Sequence, residues 1–299
     1  MTRADTFAGD IVRPKPRTTS ERLVRLINKA PIHIALAIIG LIWLAPTVGL
    51  LVTSFRPRGD IQATGWWEAL STLRFTLENY EQVLTEQGGM LGAFVNSIII
   101  SVPSTLLPLL LASGAAYAFS WLSFPFRDTL FLIVVALLMV PVQLAFIPLL
   151  NLFRPLGWTQ GYLAIWLAHT AYALPFGIFL LRNFFITLPK DLIEAARIDG
   201  SSNIGIFRNI VVPLSVPAIA AYGIFQFLWV WNDLLMSLVF VQTGSNFPMT
   251  RQIQNLLGQY GTEWHILAAG AFVLMAVPLI VFFSLQRYFV QGLLAGSVK

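Results

Sequence analysis

A chain of 299 residues that is 57% hydrophobic and 11% charged, with mean hydropathy +0.73, cannot clothe an ordinary soluble globule, which carries about 25% charged residues. Its net charge of +5 is modest, and the absence of cysteine excludes disulfides and thiolate catalysis. Uncharged runs cover residues 30–55, 87–126, 129–153, 155–181, 209–232 and 264–286. Each exceeds the roughly 20 residues that a helix needs to cross about 30 Å of hydrocarbon. The predicted fold class is an all-α polytopic membrane protein. A membrane β-barrel would instead show alternating segments of about ten residues.

In chain order, residues 1–30 form a basic segment. Its "IVRPKPRTTSERLVRLINKA" is predicted to begin without structure and to end as a helix along the inner leaflet. It does not read as a cleaved signal peptide, because the apolar run after it is too long. Residues 31–291 are predicted to hold six spans, at about 32–54, 95–120, 130–153, 161–182, 217–241 and 266–288. Gly88, Gly89, Gly92 and the polar pair Asn96-Ser97 mark a loop before the second span. Pro141, Pro148, Pro175 and Pro278 are expected to kink their spans. Residues 292–299 form a tail.

Between spans four and five lies an island of charge: Arg182, Lys190, Asp191, Glu194, Arg197, Asp199 and Arg208. "TLPKDLIEAARIDG" carries helix punctuation, with Pro189 at the first turn and Gly200 at the left-handed position that ends a helix. Ser201 or Ser202 is placed to cap a second helix, through Phe207 to about Val211, that Pro213 closes. Ala195 and Ala196 would let another surface approach the backbone. Glu194, Arg197 and Asp199 would offer charged anchors, and Phe207 with Ile204 an apolar knob. A connector lying on lipid headgroups fits the same composition. A DNA-reading helix-turn-helix does not suit a short loop tied to the membrane at both ends.

Fourteen of the 19 Lys and Arg fall on the side of the N-terminus, the 120s loop, the island and the C-terminus; Arg56, Arg58, Arg74, Arg154 and Arg251 fall on the other. The positive-inside rule puts the richer side, with both termini, in the cytoplasm. This topology accounts for the net charge without a nucleic-acid patch.

Within spans, a polar side chain is costly and must face protein or water. Tyr222, Gln226, Trp229 and Asp233 are spaced 4, 3 and 4, which predicts one helical face. With Asn232 they could wall a path for a hydroxyl-rich solute, or glue helices together. Gln143 and Tyr172, beside mid-span prolines, are further candidates with the same two readings. No P-loop occurs, and His33, His169 and His265 lack ligand-like spacing. No catalytic residue or metal site is expected, so energy for any transport must come from elsewhere.

The residues Glu194-Ala195-Ala196, Asp199-Gly200, Ile210 and Pro213 resemble the EAA loop of bacterial ATP-binding-cassette importer permeases. Here that loop is residues 187–213. The resemblance extends through "LAPTVGLLVTSFRP", "TLENYEQVL", "FVNSIIISV", "GAAYAFSWLSFPFRD", "FLWVWNDLLMSLVFV" and "GLLAGSVK" to carbohydrate-importer permeases, specifically the shorter of the two subunits in maltose-type systems. "RPRGDIQATGWWEAL" resembles α-glucoside permeases.

This resemblance implies that Glu194, Ala195, Ala196, Asp199, Gly200 and Phe207 couple to an ATPase, with Gly296 and Ser297 of the tail as a second contact. It also implies a second permease subunit, two ATPase subunits that hold ATP and Mg, and an extracytoplasmic sugar-binding protein, in a bacterial cytoplasmic membrane. This chain itself would bind no cofactor. An importer of peptides, phosphonates or polyamines shares the EAA pattern. An ATP-independent secondary transporter would need an intramembrane charge pair and no cytoplasmic socket; a membrane enzyme would need a catalytic constellation.

Overall fold

The computed structural model describes residues 19–85, 89–259 and 264–295, and no strand occurs among them. Two compact units divide the chain at Leu50. The described part of the first is helix α1 (Thr19–Ser54) up to Leu50, apolar on every side of its span. The helical stretch expected before residue 31 is continuous with that span and forms its first turns.

In the second unit, short helices α2 (Arg58–Ala63), α3 (Ala69–Thr72) and α4 (Glu78–Leu84) lead to α5 (Met90–Trp121). Asn96 and Ser97 lie inside α5 and are buried, not in a loop. The Asn96 amide donates to the Ser245 and Phe247 carbonyls, its oxygen accepts from the Tyr162 hydroxyl, and Ser97 Oγ accepts from the Met249 amide. Read as loop formers, these residues are in fact interior fasteners.

Next come α6 (Arg127–Leu137), α7 (Phe146–Phe153), α8 (Leu163–Phe185), and the island helices α9 (Lys190–Ile198), α10 (Asn203–Ile206) and α11 (Val212–Leu214). The chain ends with α12 (Val216–Asn232), α13 (Leu235–Phe240), α14 (Met249–Gln259) and α15 (Trp264–Ala295). Among the described residues, four helices are long and apolar enough to cross a membrane, or six if two bent pairs each count as one span. The bends are 95° between Arg127–Leu137 and Val142–Phe153, and 79° between Asn203–Leu214 and Val216–Asn232.

Pro141 sits at the first bend, as expected, because it cannot donate to the preceding turn. Pro148, Pro175 and Pro278 interrupt nothing; each lies inside a continuous helix. The fifth span, expected over 217–241, breaks at Asp233, whose backbone is extended.

Helix α5 packs against α8 and α12, and α12 against α15. Three prolines explain how these contacts are fastened. A proline has no N–H for the carbonyl four residues back, and hydrocarbon offers no water as a substitute. Pro103 orphans the Ile99 carbonyl, which accepts from Trp166 Nε1 of α8 at 2.9 Å. Pro108 orphans the Ser104 carbonyl, which accepts from Gln226 Nε2 of α12 at 3.1 Å. Pro278 orphans the Leu274 carbonyl, which accepts from Trp231 Nε1 at 3.0 Å. A fourth bond runs from the Tyr222 hydroxyl to the Ala173 carbonyl at 3.0 Å. Gly177 permits it, since a Cβ there would stand 2.4 Å from the Tyr222 ring.

Trp231→Phe removes the donor to Leu274 and should cost about 1–2 kcal/mol. In a Pro278→Ala background the helix regains its own donor, so the same substitution should cost much less. Unfolding of the four proteins in detergent measures the coupling; equal costs in both backgrounds would contradict the pairing.

Candidate functional site

The island is built in two faces. Helix α9 ends in two bonds that define a left-handed stop: Gly200 N–H to the Arg197 carbonyl at 3.1 Å, and Ser201 N–H to the Ala196 carbonyl at 2.9 Å. Gly200 supplies the φ of +80° that this closure requires. Of the two serines, Ser202 is the cap: its Oγ accepts from the Gly205 amide at 3.1 Å. After Ile206 the chain widens into a π turn, Phe207–Val211.

The inner face joins the bundle. Ile193, Ala196, Ile206 and Val211 share one buried core with Leu181 and Phe185 of α8. Arg197 Nη2 donates to the Trp121 carbonyl at 2.6 Å, tying α9 to the end of α5. The sequence reading therefore needs two corrections. Ala196 packs inward, so only Ala195 of the two alanines is open to a visitor. Phe207 leans on Tyr117, with ring centroids 5.2 Å apart, and is no exposed knob. The apolar residues that stand out furthest are Ile198, 86% exposed, and Ile204, 78% exposed, one on each side of Gly200. Glu194 and Asp199 are exposed beside them, with Glu194 paired to Lys190 at 2.9 Å. Ile198 escaped the sequence reading because a lone apolar residue in a charged helix looks like its buried stripe. Gly296 and Ser297 lie outside the described residues, as do residues 1–18 of the basic segment.

The expected stripe on the fifth span survives in part: Tyr222, Gln226 and Trp229 share one face of α12, at i, i+4 and i+7, and Asp233 leaves it. Tyr222 and Gln226 are buried and spend their donors on α8 and α5. Trp229 is 63% exposed. Asn232 is exposed, its amide donating to the Leu228 carbonyl. Asp233 lies past the helix end, where Oδ2 accepts from the Met236 amide at 2.9 Å and starts α13. The physical reason is the break itself: α12 stops at Asn232, so Asp233 leaves the helical register. Gln143 is exposed in the 3-10 turn Val142–Ala145 after Pro141. Tyr172 is half-buried against Phe146, and its hydroxyl has no partner.

One residue set aside as a lone histidine belongs here. His169 is buried on α8 with its Nε2 3.9 Å from Asp233 Oδ2. Its spacing of three from Tyr172 was the available signal, since i and i+3 share a helix face. Ser104 Oγ and Thr105 Oγ1 on α5 are also buried without partners. The cross-helix bonds from Tyr162 to Asn96 and from Trp166 to the Ile99 carbonyl make α5 and α8 run parallel. That register sets Ser104 and Thr105 at the depth of Tyr172.

Residues 105–294 match the model of the family described as binding-protein-dependent transport system inner membrane component. The chain is 53% identical to the osmoprotective compounds uptake permease protein GgtD of Synechocystis sp., over 94% of this chain and 95% of that protein. It is 48% identical to the alpha-glucoside transport system permease protein AglG of Rhizobium meliloti, over 83% of this chain and 67% of that one. Among solved structures, a bacterial ABC transporter involved in import of the acidic polysaccharide alginate has a chain of similar fold. Its TM-score is 0.63 at 15% identity, with 90% of this chain and 99% of that chain covered.

A Cβ on Gly200 would meet nothing within 4 Å, so substitution there tests backbone conformation alone. Gly200→Ala should cost about 1 kcal/mol, and Gly200→Asn less. Faster hydrogen exchange at the Ser201 amide in the alanine variant is the expected readout; unchanged protection would contradict the left-handed stop.

Proposed function

The chain belongs to the binding-protein-dependent transport system inner membrane component family, and we infer from this that it is the permease subunit of an ATP-driven sugar importer. It is a multi-pass inner membrane protein. The observation that carries the mechanism is the two-faced island, whose inner residues are part of the bundle core and whose outer residues Ile198 and Ile204 are bare.

In this reading the chain makes six spans with both termini cytoplasmic, each bent pair counting as one span. A second permease subunit completes the translocation path. Two ATPase subunits hold ATP and Mg, and an extracytoplasmic binding protein delivers the solute. The ATPase receives Glu194, Ala195, Asp199, Ile198 and Ile204 in a groove, and Gly200 lets its surface pass close to the turn. ATP-driven closure then displaces α9. A close-packed core transmits displacement because it cannot compress; Ile193 and Ile206 would carry the motion into α8, and Arg197 into the end of α5. Ala196 and Phe207 contribute from inside, as the seat of the lever. Gly296 and Ser297 would give a second cytoplasmic contact.

For the solute, polar groups already used between helices are poor candidates. Tyr222 and Gln226 therefore fasten the bundle. Trp229, Asn232 and Gln143, exposed on this subunit, are better placed to line a path shared with the second permease. A sugar offers hydroxyls and an apolar ring face, which amide and indole groups match. The alpha-glucoside relative supports a carbohydrate. The osmoprotective-compounds relative supports a second reading, in which the solute is an osmoprotectant.

Ile204→Asp and Glu194→Lys should weaken capture of the ATPase subunits by about tenfold or more, equivalent to about 1.4 kcal/mol. Uptake should fall with it while the protein stays in the membrane. Normal capture and uptake would remove the island from coupling. Trp229→Ala should raise the solute concentration needed for half-maximal ATPase stimulation while capture is unchanged; lost capture would make Trp229 structural.

A further inference from the structure

At the end of the bundle opposite the island, we propose that residues 66–77 lie in the headgroup–acyl boundary of the bilayer as an interfacial anchor for phospholipid. This surface goes beyond the coupling reading and needs only that the chain spans a membrane. Trp67, Leu70, Leu73, Phe75 and Leu77 are each more than half exposed, a density of bare apolar side chains that a water-facing loop does not carry. Trp67 and Leu70, three residues apart, share one side of the short helical stretch, while Ala69 is buried beneath it. Leu73 ends α3 in the left-handed region, at φ +48°, a conformation that leucine rarely adopts. Beyond it Phe75 and Leu77 continue the exposed apolar run, with the exposed Arg74 and the half-buried Thr76 between them.

Two features fix the depth of this surface and so choose its occupant. First, it is lashed to the end of α1. The Thr76 backbone amide donates to the Phe55 carbonyl at 2.7 Å, and Asn79 Nδ2 to the carbonyls of Ser54 and Arg56, each at 2.9 Å. Arg56 is itself buried, bonded to Thr64 and the Asp60 carbonyl, which stiffens the loop in between. Second, Leu77 opens onto an apolar groove of about 610 Å³ lined also by Phe55, Leu84, Phe94, Phe272 and Ala276. Phe94 is four residues into the span α5. Phe272 and Ala276 lie about 12 and 18 Å along α15 from its start, at about 1.5 Å per residue.

The groove thus runs from Leu77 of the loop down along two membrane-crossing helices. An acyl chain fits that groove. Tryptophan at the boundary, with the charge of the exposed Arg74 drawn to the headgroups, follows the usual order of an interfacial segment.

The sequence has no cysteine, so one introduced cysteine carries one label. Leu70→Cys, Phe75→Cys and Arg74→Cys are each spin-labelled in the full assembly, in vesicles of phosphatidylcholine and phosphatidylglycerol. Collision with oxygen, which concentrates in lipid, is compared with collision with a water-soluble nickel chelate. The oxygen-to-nickel ratio should be severalfold higher at Leu70→Cys and Phe75→Cys than at Arg74→Cys. Equal ratios at the three sites would overturn the anchor in favour of a wet loop. Low collision with both probes at positions 70 and 75, with or without the binding protein, would overturn it in favour of a protein contact.

Discussion

A backbone carbonyl set free inside hydrocarbon has nowhere to turn except to another part of the protein. Pro103, Pro108 and Pro278 each free one, and Trp166, Gln226 and Trp231 each reach across from a neighbouring helix to take it. Hydrophobic attraction cannot bring apolar helices together in lipid, because lipid tails are as apolar as the helices. These specific acceptors supply registry instead. Small residues along α5, among them Ser97, Ser101, Ser104, Ala112 and Ala116, are buried and let α8 and α12 come close enough for the bonds to form.

The same fastening bears on how motion could travel. Helices α5 and α8 are joined near one end by Tyr162 with Asn96 and, one turn on, by Trp166 with Ile99, and at the island by the core around Ile193 and Ile206. Displacement applied to α9 meets a tied pair of helices. Regular structure is interrupted at Pro141, at Ser215 between α11 and α12, and at Asp233. The His169–Asp233 approach spans one of these interruptions.

Much of this was readable in residues. Hydropathy located the apolar helices, since crossing hydrocarbon requires a long uncharged run whatever its neighbours. Gly200 and a capping serine were readable because left-handed turns and helix caps are local chemistry. What failed depended on distant partners. Nothing in the local pattern says that Ala196 and Phe207 face their own bundle while Ile198 stands bare. Asn96-Ser97 looked like a loop because polar residues usually mark one; in a membrane core they are fasteners. The spacing of Tyr222, Gln226, Trp229 and Asp233 was sound helical arithmetic, but periodicity cannot see that the helix stops at Asn232. Of the four prolines expected to kink their spans, Pro141 alone sits where a helix gives way to a bend; at Pro148, Pro175 and Pro278 the helix continues, because a proline inside a span can be accommodated without ending it.

The proposed mechanism gives this chain a lever and no engine, and transport by the isolated protein tests that most directly. Purified and placed in vesicles without nucleotide, ATPase subunits or a second permease, it should carry no sugar above the leak of empty vesicles, while the full assembly with ATP accumulates it. Saturable uptake by the isolated chain would contradict the mechanism.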